Sequence, residues 1–265
     1  MVMNEEKKNT NWQCKWVAKP KQPYSNPVLI VGVPGIANVG KIAVDFIIEQ
    51  KKAKKIAEFF SFDLPHLVFV REDNLAYLPK LEVYACKGTK EDLIFLGGDV
   101  QPSNERSCYE FCHTVIDLAQ ELGVKSIVTT GGIGLAKVPK NPQIYCTATD
   151  QKIIAEFTKI AKVNPQTHGV VGPIVGVTGV LIGVSRERGI PAIALLGETF
   201  SHPMYLGMTG ARALLQVLNQ RFSLKLNLKN LDAEILGLEN EIALKTKELT
   251  DIDKLKKDQK LTYIG

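Results

Sequence analysis

The sequence has 265 residues, of which 45% are hydrophobic and 23% charged, and its formal net charge is +5. This length allows one large α/β domain or two small ones, and either can bury a sizeable core. The lysines and arginines are scattered, whereas a nucleic-acid surface needs clustered basic residues to bind phosphates. No apolar stretch reaches the roughly 18 residues of a membrane-spanning helix, and residues 1–10 are polar rather than signal-like. We therefore expect a cytoplasmic protein that binds neither nucleic acid nor a membrane.

The five cysteines indicate neither a disulfide framework nor a metal site. Their number is odd and their spacing contains no C-x-x-C pair, the pattern typical of thiolate zinc sites. Cys108 and Cys112 are one helical turn apart and His113 follows, but structural zinc requires four ligands. We expect buried thiols and no bound metal.

A glycine-rich segment follows the first apolar run, Val28–Val33. Residues Gly35–Lys41 fit the first seven positions of the phosphate-binding pattern G-x-x-x-x-G-K-[ST], in which backbone N–H groups cradle phosphates. However, Ile42 stands where the pattern requires a magnesium-binding hydroxyl, and Pro34 removes an N–H beside the cradle. We interpret the segment as a tight strand-to-helix turn with Asn38 as the helix N-cap. A nucleotide- or nucleoside-binding enzyme remains the alternative.

Short apolar runs and amphipathic segments alternate along most of the chain. Strands are predicted at Val28–Val33, Leu93–Leu96, Ser126–Thr130 and Ala192–Leu196. Helices are predicted at Asn38–Lys51, Ser107–Leu122 and Thr209–Phe222. Because continuously apolar strands alternate with amphipathic helices, we predict a mostly parallel sheet covered on both faces.

Two segments depart from this alternation. Ile56–Phe62, Leu67–Val70 and Ala76–Cys86 are strand-like with no helix between them, which predicts an antiparallel or hairpin excursion at one edge of the sheet. In Gly172–Gly183, glycines at helical spacing predict a helix with a smooth face. That face packs either on the sheet of its own chain or on another subunit.

After Phe222 the alternation of strand-like and helical segments ends. This change predicts a core domain over residues 1–222 and a C-terminal helical segment and tail over 223–265. Heptad positions in this segment are apolar, with Lys245 as an interruption: Leu231, Leu238, Ile252, Ile235, Ile242 and Leu249. An extended amphipathic helix or a short coiled coil is expected, and it either pairs between chains or folds back.

No combination of residues indicates catalysis, because the four histidines lie in dissimilar contexts and neither a G-x-S-x-G nor an H-E-x-x-H motif occurs. Ligands of open α/β sheets bind beyond the carboxyl ends of the strands. The residues that could form such a strand-end pocket are Gly35, Asn38, Lys41, Gln101, Ser103, Gly132 and Glu198. The simpler interpretation is that they belong to short connections.

Four blocks of the sequence together resemble the archaeal branch of the proteasome assembly chaperone family, in particular proteasome-assembling chaperone 2. The blocks are Gly32–Lys41, Gly97–Ser103, Leu122–Ile133 and Gly172–Thr199. The resemblance implies a three-layer α/β/α fold similar to nucleoside phosphorylases, without enzymatic activity or a cofactor. It also implies a homo-oligomer that binds proteasome α-subunits.

Chaperones of this family engage the α-ring through a C-terminal tail of the pattern hydrophobic, tyrosine, any residue. The sequence here ends in Leu261, Thr262, Tyr263, Ile264 and Gly265, so the tyrosine is third from the end and a threonine precedes it. The leading hypothesis is a non-catalytic, homo-oligomeric assembly factor that binds proteasome α-subunits partly through these five residues. A structural partner of an unrelated complex is a further alternative.

Overall fold

The computed structural model describes residues 10–169, 171–229, 231–233, 235 and 237. The chain divides into a unit that ends at Leu226 and a second unit that begins at Asn227. In the second unit the described residues at 229, 231–233, 235 and 237 are helical. Most of the predicted amphipathic helix and the whole tail 261–265 lie outside the described residues, so the domain boundary after Phe222 stays a prediction.

The first unit contains both strands and helices. The strands are β1 (Gln13–Trp16), β2 (Val28–Gly32), β3 (Lys54–Phe60), β4 (Phe69–Val70), β5 (Ala76–Tyr77), β6 (Leu81–Cys86), β7 (Leu93–Gly98), β8 (Ser126–Leu135), β9 (Ile144–Ala148) and β10 (Ala192–Phe200). The α-helices are α1 (Val39–Gln50), α2 (Glu105–Glu121), α3 (Gln151–Ile160), α4 (Val177–Glu187) and α5 (Met208–Phe222).

Eight of these strands form one sheet in the order β1-β3-β6-β7-β2-β8-β10-β9. Strands β7, β2, β8 and β10 are mutually parallel, and β3 runs in their direction because it is antiparallel to β6, which is antiparallel to β7. The carboxyl ends of these five strands therefore meet at one edge, which we call the carboxyl edge. After β7 the chain crosses to the other side of β2 to form β8, the kind of reversal beside which doubly wound sheets bind ligands.

Helices cover both faces of the sheet. On one face α2 packs beside α4, and their apolar side chains join those of the sheet in a core that contains Phe111 and Leu181. On the other face α1 packs beside α5, which also contacts α3. The central strands β2 and β7 are buried on both faces, so their sequences are continuously apolar. This arrangement confirms the predicted α/β/α fold with a parallel centre.

The predicted excursion at one side of the sheet is also confirmed. Strands β3 and β6 lie there as antiparallel neighbours, and β1 forms the outermost strand. Between β3 and β6 the chain forms a separate two-stranded ribbon, β4–β5. Trp12, which directly precedes β1, fixes this strand to α2. Its buried indole Nε1 donates a hydrogen bond to Ser107 Oγ at 2.9 Å.

The helix predicted over Gly172–Gly183 begins later than expected, at Val177. Gly172 and Gly176 precede it, and Gly176 adopts a φ of +76°, which favours glycine and ends the loop. The helix buries Val177, Leu181 and Val184 rather than its glycines, and a Cβ at Gly183 would meet no atom within 4 Å. Of the two alternatives, packing of the glycine face on the sheet is therefore wrong, because two of the four glycines serve the loop, and packing on another subunit stays a prediction.

Candidate functional site

The carboxyl edge contains a cavity of about 560 Å³. Its walls are the loop after β2, the end of β8 and the loop that leads into α4. Glycines form much of this lining because the loops approach one another closely. For example, a Cβ at Gly132 would lie 2.6 Å from the carbonyl oxygen of Ile36, and such a contact is too short to exist. The turn after β2 can therefore rest directly on β8.

Gln101 joins two of these walls. Its Oε1 accepts a hydrogen bond from the backbone N–H of Val177 at 2.9 Å, and its Nε2 donates to the carbonyl oxygen of Pro34. The side chain thereby satisfies one of the N–H groups that a helix start leaves without an intrahelical partner. A Cβ at Gly176 would lie 2.5 Å from Gln101 Oε1, so glycine is needed there on two grounds. Gln101 positions α4 against the turn after β2.

Hydroxyl groups fix the same region from inside the sheet. Thr129 Oγ1 donates to the carbonyl oxygen of Thr178 at 3.0 Å, and Thr178 Oγ1 donates to that of Thr130 at 3.2 Å. Thr130 Oγ1 in turn donates to the carbonyl oxygen of Val31 at 2.8 Å. All three threonines are buried, so each bond is made away from water. The first turn of α4, β8 and β2 therefore form one rigid support for the cavity.

The structure brings together three of the seven residues predicted for a strand-end pocket: Gly35, Gln101 and Gly132 line the cavity. The other four do not. Asn38 is at the N-cap position of α1, as predicted, but in a left-handed conformation and without a side-chain hydrogen bond. Ser103 is exposed, and its backbone N–H donates to the carbonyl oxygen of Asp63 at 3.3 Å.

Glu198 and Lys41 also lie outside the cavity lining, because each is engaged elsewhere. Glu198 Oε2 accepts a hydrogen bond from the backbone N–H of Gln143 at 2.9 Å, which fixes the connection before β9. Lys41 Nζ lies 2.7 Å from Asp45 Oδ2 and 4.0 Å from Asp99 Oδ1. The lysine of the phosphate-loop pattern is thus paired with Asp45, one helical turn further along α1, and also with Asp99, a contact that spacing alone did not reveal.

These carboxylates belong to a charged network across α1, β6 and β3. Burial raises the pKa of Asp45 above its ordinary value, and the hydrogen bond from Lys41 opposes this effect. Burial alone would also raise the pKa of Glu82, but hydrogen bonds from Lys55 at 2.7 Å and Tyr84 at 2.6 Å hold it below its ordinary value. The ion pairs link elements of the fold, because Lys41 joins α1 to the loop after β7 and Lys55 joins β3 to β6.

The side chains that line the cavity are apolar or neutral, and Gln101 and Thr178 are among them. Among the described residues that line it, none is ionisable, so it contains no proton donor, proton acceptor or charged nucleophile. Sequence reasoning missed part of its wall, the segment 171–176, because the glycines there were assigned to a helix. The Gly172-Pro173 pair is a turn signal and could have identified this loop.

A larger cleft of about 710 Å³ lies between the segments 141–144 and 162–166 and helix α5. Amide side chains dominate its lining, and Lys162 is the one ionisable side chain among its described residues. In the described part of the chain, no three His, Cys, Asp or Glu side chains form a group suited to a metal ion. The same residues include no helix long and apolar enough to cross a membrane.

The cysteines behave as predicted for buried thiols. Cys108, Cys112 and Cys146 are buried, and Cys14 and Cys86 are partly buried. Burial raises the pKa of Cys146 to about 11, which suppresses its thiolate form at neutral pH.

The parallel-centred α/β/α fold agrees with the family that the sequence comparison identifies. The model of the PAC2 family matches residues 29–244, and the chain belongs to this family. The uncharacterized protein MJ1210 of Methanocaldococcus jannaschii is 30% identical over 225 residues, which are 84% of each chain. The predicted family resemblance is confirmed.

Solved structures are similar over nearly the whole chain. PbaB of Pyrococcus furiosus, an archaeal proteasome activator, has a TM-score of 0.82 and 29% identity, covering 90% of this chain and 99% of its own. PbaA of Pyrococcus furiosus, an archaeal homolog of proteasome-assembly chaperone, has a TM-score of 0.72 and 19% identity, covering 95% and 99%. PbaA supports the fold alone. The prediction of a non-enzymatic protein agrees with this family.

Proposed function

We propose that this protein is a non-catalytic factor that binds the α-subunits of the proteasome in the cytoplasm as a homo-oligomer. The observation that carries the proposal is the likeness to PbaB, an archaeal proteasome activator, over 90% of this chain at 29% identity. The lining of the strand-end cavity supports it, because its described residues include no ionisable group with which to run a reaction. The α/β/α domain then serves as a scaffold that presents binding segments.

The segment proposed to contact the proteasome is the sequence Leu261–Gly265, with Tyr263 and Ile264 as the apolar anchors. A short tail binds weakly by itself, because few contacts must offset the ordering of a flexible segment. Several tails on one oligomer act at a high effective concentration, and avidity can then exceed single-site affinity by ~10²–10⁴. Weak single contacts also let the factor dissociate readily once enough tails have released.

The test is binding of the full-length protein to assembled proteasomes and to isolated α-subunits from the same organism, with surface-immobilised protein as the probe. Removal of residues 261–265 is expected to weaken binding at least tenfold, as is Tyr263→Ala. Tyr109→Ala is the matched control, because Tyr109 is an exposed tyrosine on α2. Equal affinity for the full-length and shortened proteins would exclude the tail from the mechanism, and absence of binding to any proteasome subunit would refute the proposed function.

Two activities are compatible with such a factor, and a pair of assays separates them. An activator increases peptide hydrolysis by preassembled proteasomes, whereas an assembly chaperone accelerates formation of α-rings from separate subunits. The higher identity to PbaB than to PbaA favours activation. Faster ring formation with unchanged peptide hydrolysis would assign the chaperone role instead.

The nucleotide- or nucleoside-binding enzyme is the competing proposal, and Lys41 decides it. This lysine contacts Asp45 and Asp99 and does not line the cavity. Titration calorimetry with ATP and with nucleosides is expected to give no saturable heat. Saturable binding that disappears in Lys41→Ala would support the enzyme, and affinity capture from the native cell extract would identify a partner other than the proteasome.

A further inference from the structure

Strand β8 extends beyond its neighbour β2 at the carboxyl edge. The pairing of β2 with β8 ends at Val31 and Thr129, whereas β8 continues to Leu135. On the other side, β10 stays beside β8 as far as Leu135, which it pairs through Phe200. Residues 130–135 of β8 therefore have a strand on one side only, and we call their unpaired side the open edge.

The direction of the backbone groups along β8 follows from its hydrogen bonds to β10. In an extended strand, the N–H and C=O of one residue point to the same side and those of the next residue to the opposite side. The N–H of Ile127 donates to the residue before β10, and the carbonyl oxygen of Leu135 accepts from the residue after β10, each at 2.9 Å. The odd-numbered residues of β8 thus face β10. The even-numbered ones, among them Gly132 and Gly134, face the open edge.

The backbone groups of these two glycines are unpaired and face the cavity. Gly132 and Gly134 both belong to its lining. Among the hydrogen bonds of the described residues, none reaches the N–H or the C=O of either glycine at the open edge. Backbone groups in folded proteins almost always have a partner, within the chain or outside it. The open edge therefore offers two donors and two acceptors to whatever enters the cavity.

The spacing of these groups matches an extended chain. Gly132 and Gly134 are two residues apart on one strand, so their donor and acceptor pairs repeat at roughly 6.6 Å, twice the rise per residue. An extended peptide repeats its own N–H and C=O groups with the same period and can pair with both glycines, as a strand added to the edge of a sheet. The cavity volume of about 560 Å³ is in the usual range of binding sites for short ligands.

The walls of the cavity favour an uncharged occupant. Ile36 in the turn after β2 is 47% exposed, Val175 in the loop before α4 is 84% exposed, and both side chains line the cavity. No described residue of the lining is ionisable, so a charged side chain would lose its water there without gaining a partner of opposite charge. Because an extended peptide points successive side chains to opposite faces, apolar residues on it can contact both walls.

We propose that the strand-end cavity binds a short, uncharged, extended peptide segment of a partner protein, which pairs as an added strand with the backbone of Gly132 and Gly134. The main-chain hydrogen bonds fix the segment, and Ile36 and Val175 contact its apolar side chains. This site goes beyond the proposed function, because it lies on the α/β/α domain and requires neither residues 261–265 nor the proteasome.

The test uses a pool of acetylated and amidated tetrapeptides that combine valine, isoleucine, alanine, threonine and glycine. The pool is incubated with the full-length protein, and the peptides retained with it on ultrafiltration are identified by mass spectrometry. The wild type is expected to retain a subset of the pool. The tightest of these peptides is then titrated by calorimetry, and placing lysine or glutamate at its central positions is expected to weaken binding at least tenfold.

Three matched glycine-to-phenylalanine variants locate the site. Gly35→Phe and Gly172→Phe each add a ring to one wall of the cavity, and Gly183→Phe adds one to the exposed side of α4, away from the cavity lining. At all three positions a Cβ would meet no atom within 4 Å, so each variant is expected to keep the wild-type circular dichroism spectrum. The two wall variants should bind the peptide at least tenfold more weakly, and Gly183→Phe should bind it as the wild type does.

N-methylation of the peptide separates strand pairing from contact through side chains alone. A methyl group on an amide nitrogen removes the donor and obstructs the edge, so methylation at one or more positions is expected to weaken binding at least tenfold. Pairing also slows hydrogen exchange at the amides of Gly132 and Gly134, a measurement on the wild type that replaces the wall variants if these do not fold. We expect at least tenfold slower exchange at both amides with saturating peptide.

Four results would overturn the proposal. They are a wild type that retains no peptide of the pool, wall variants that fold and bind the peptide as the wild type does, a peptide that tolerates N-methylation at every position, and exchange at Gly132 and Gly134 that the bound peptide leaves unchanged. None of these results bears on proteasome binding through residues 261–265, so this inference and the proposed function can fail separately.

Discussion

Replacing Gly40 by alanine tests whether the glycines after β2 serve packing or phosphate binding. Gly40 is buried in the first turn of α1, and a Cβ there would lie 2.5 Å from the carbonyl oxygen of Thr130 and 2.6 Å from Thr130 Oγ1. Neither atom can withdraw easily. β8 is paired on both sides, with β2 and with β10, and the Thr130 hydroxyl donates a hydrogen bond to the carbonyl oxygen of Val31. The start of α1 must therefore move away from the sheet.

The expected cost follows from two opposing effects. Overpacking a well-packed interior destabilises by about 1–3 kcal/mol, and the obstacle here is backbone rather than a flexible side chain. Alanine recovers up to about 1 kcal/mol, because it is a better helix former than glycine. We expect the free energy of unfolding of Gly40→Ala to fall by about 1–2 kcal/mol. For a chain of this size that lowers Tm by roughly 2–8 °C.

Gly35→Ala is the matched control. Gly35 occupies the first glycine position of the same pattern, but a Cβ there would meet no atom within 4 Å, and its φ of −164° is an extended conformation open to alanine. Its stability should stay within about 0.5 kcal/mol of wild type. Urea denaturation followed by circular dichroism measures both variants. If Gly40→Ala is as stable as Gly35→Ala, the packing argument is refuted.

Three further predictions concern the supports of the fold. Ser107→Ala leaves the buried Trp12 indole N–H without its acceptor, and urea denaturation should show a loss of about 1–3 kcal/mol, whereas no loss would mean that the 2.9 Å bond does not form in solution. Burial alone would raise the pKa of Asp92, but Lys87 and two backbone N–H groups hold it below its ordinary 3.8. Its stabilising effect is therefore complete above that pH and lost as pH falls further, so the stability gap between wild type and Asp92→Asn should close below about pH 4 in acid titrations, and a constant gap would contradict the assigned partners. Cys146, whose pKa is raised to about 11, should react with Ellman's reagent near pH 8 only after denaturation, and rapid labelling of the native protein at this position, located by mass spectrometry, would show that the thiol is accessible.

Local pattern determined the elements and the order in which they alternate. The apolar runs at 28–33 and 93–96 form strands, and the segment 107–122, with apolar residues at helical spacing, forms a helix. These elements were predictable because the spacing of apolar residues within a short segment reflects the period of the strand or helix that it forms. The same information predicted the excursion between β3 and β6. It failed at Gly172–Gly183, where glycine spacing imitated a helical face although the first glycines belong to the loop before α4.

The site was decided by tertiary structure. Seven residues at strand ends were candidates for one pocket, and Gln101 entered it because its side chain reaches both Pro34 and Val177. Lys41 lies outside it and pairs with Asp45 on its own helix at 2.7 Å and with Asp99, far away in sequence, at 4.0 Å. Periodicity records which way each residue points along its own element, but contacts between distant residues arise only when the elements pack, and these contacts determine which groups are paired, buried or left open to a partner.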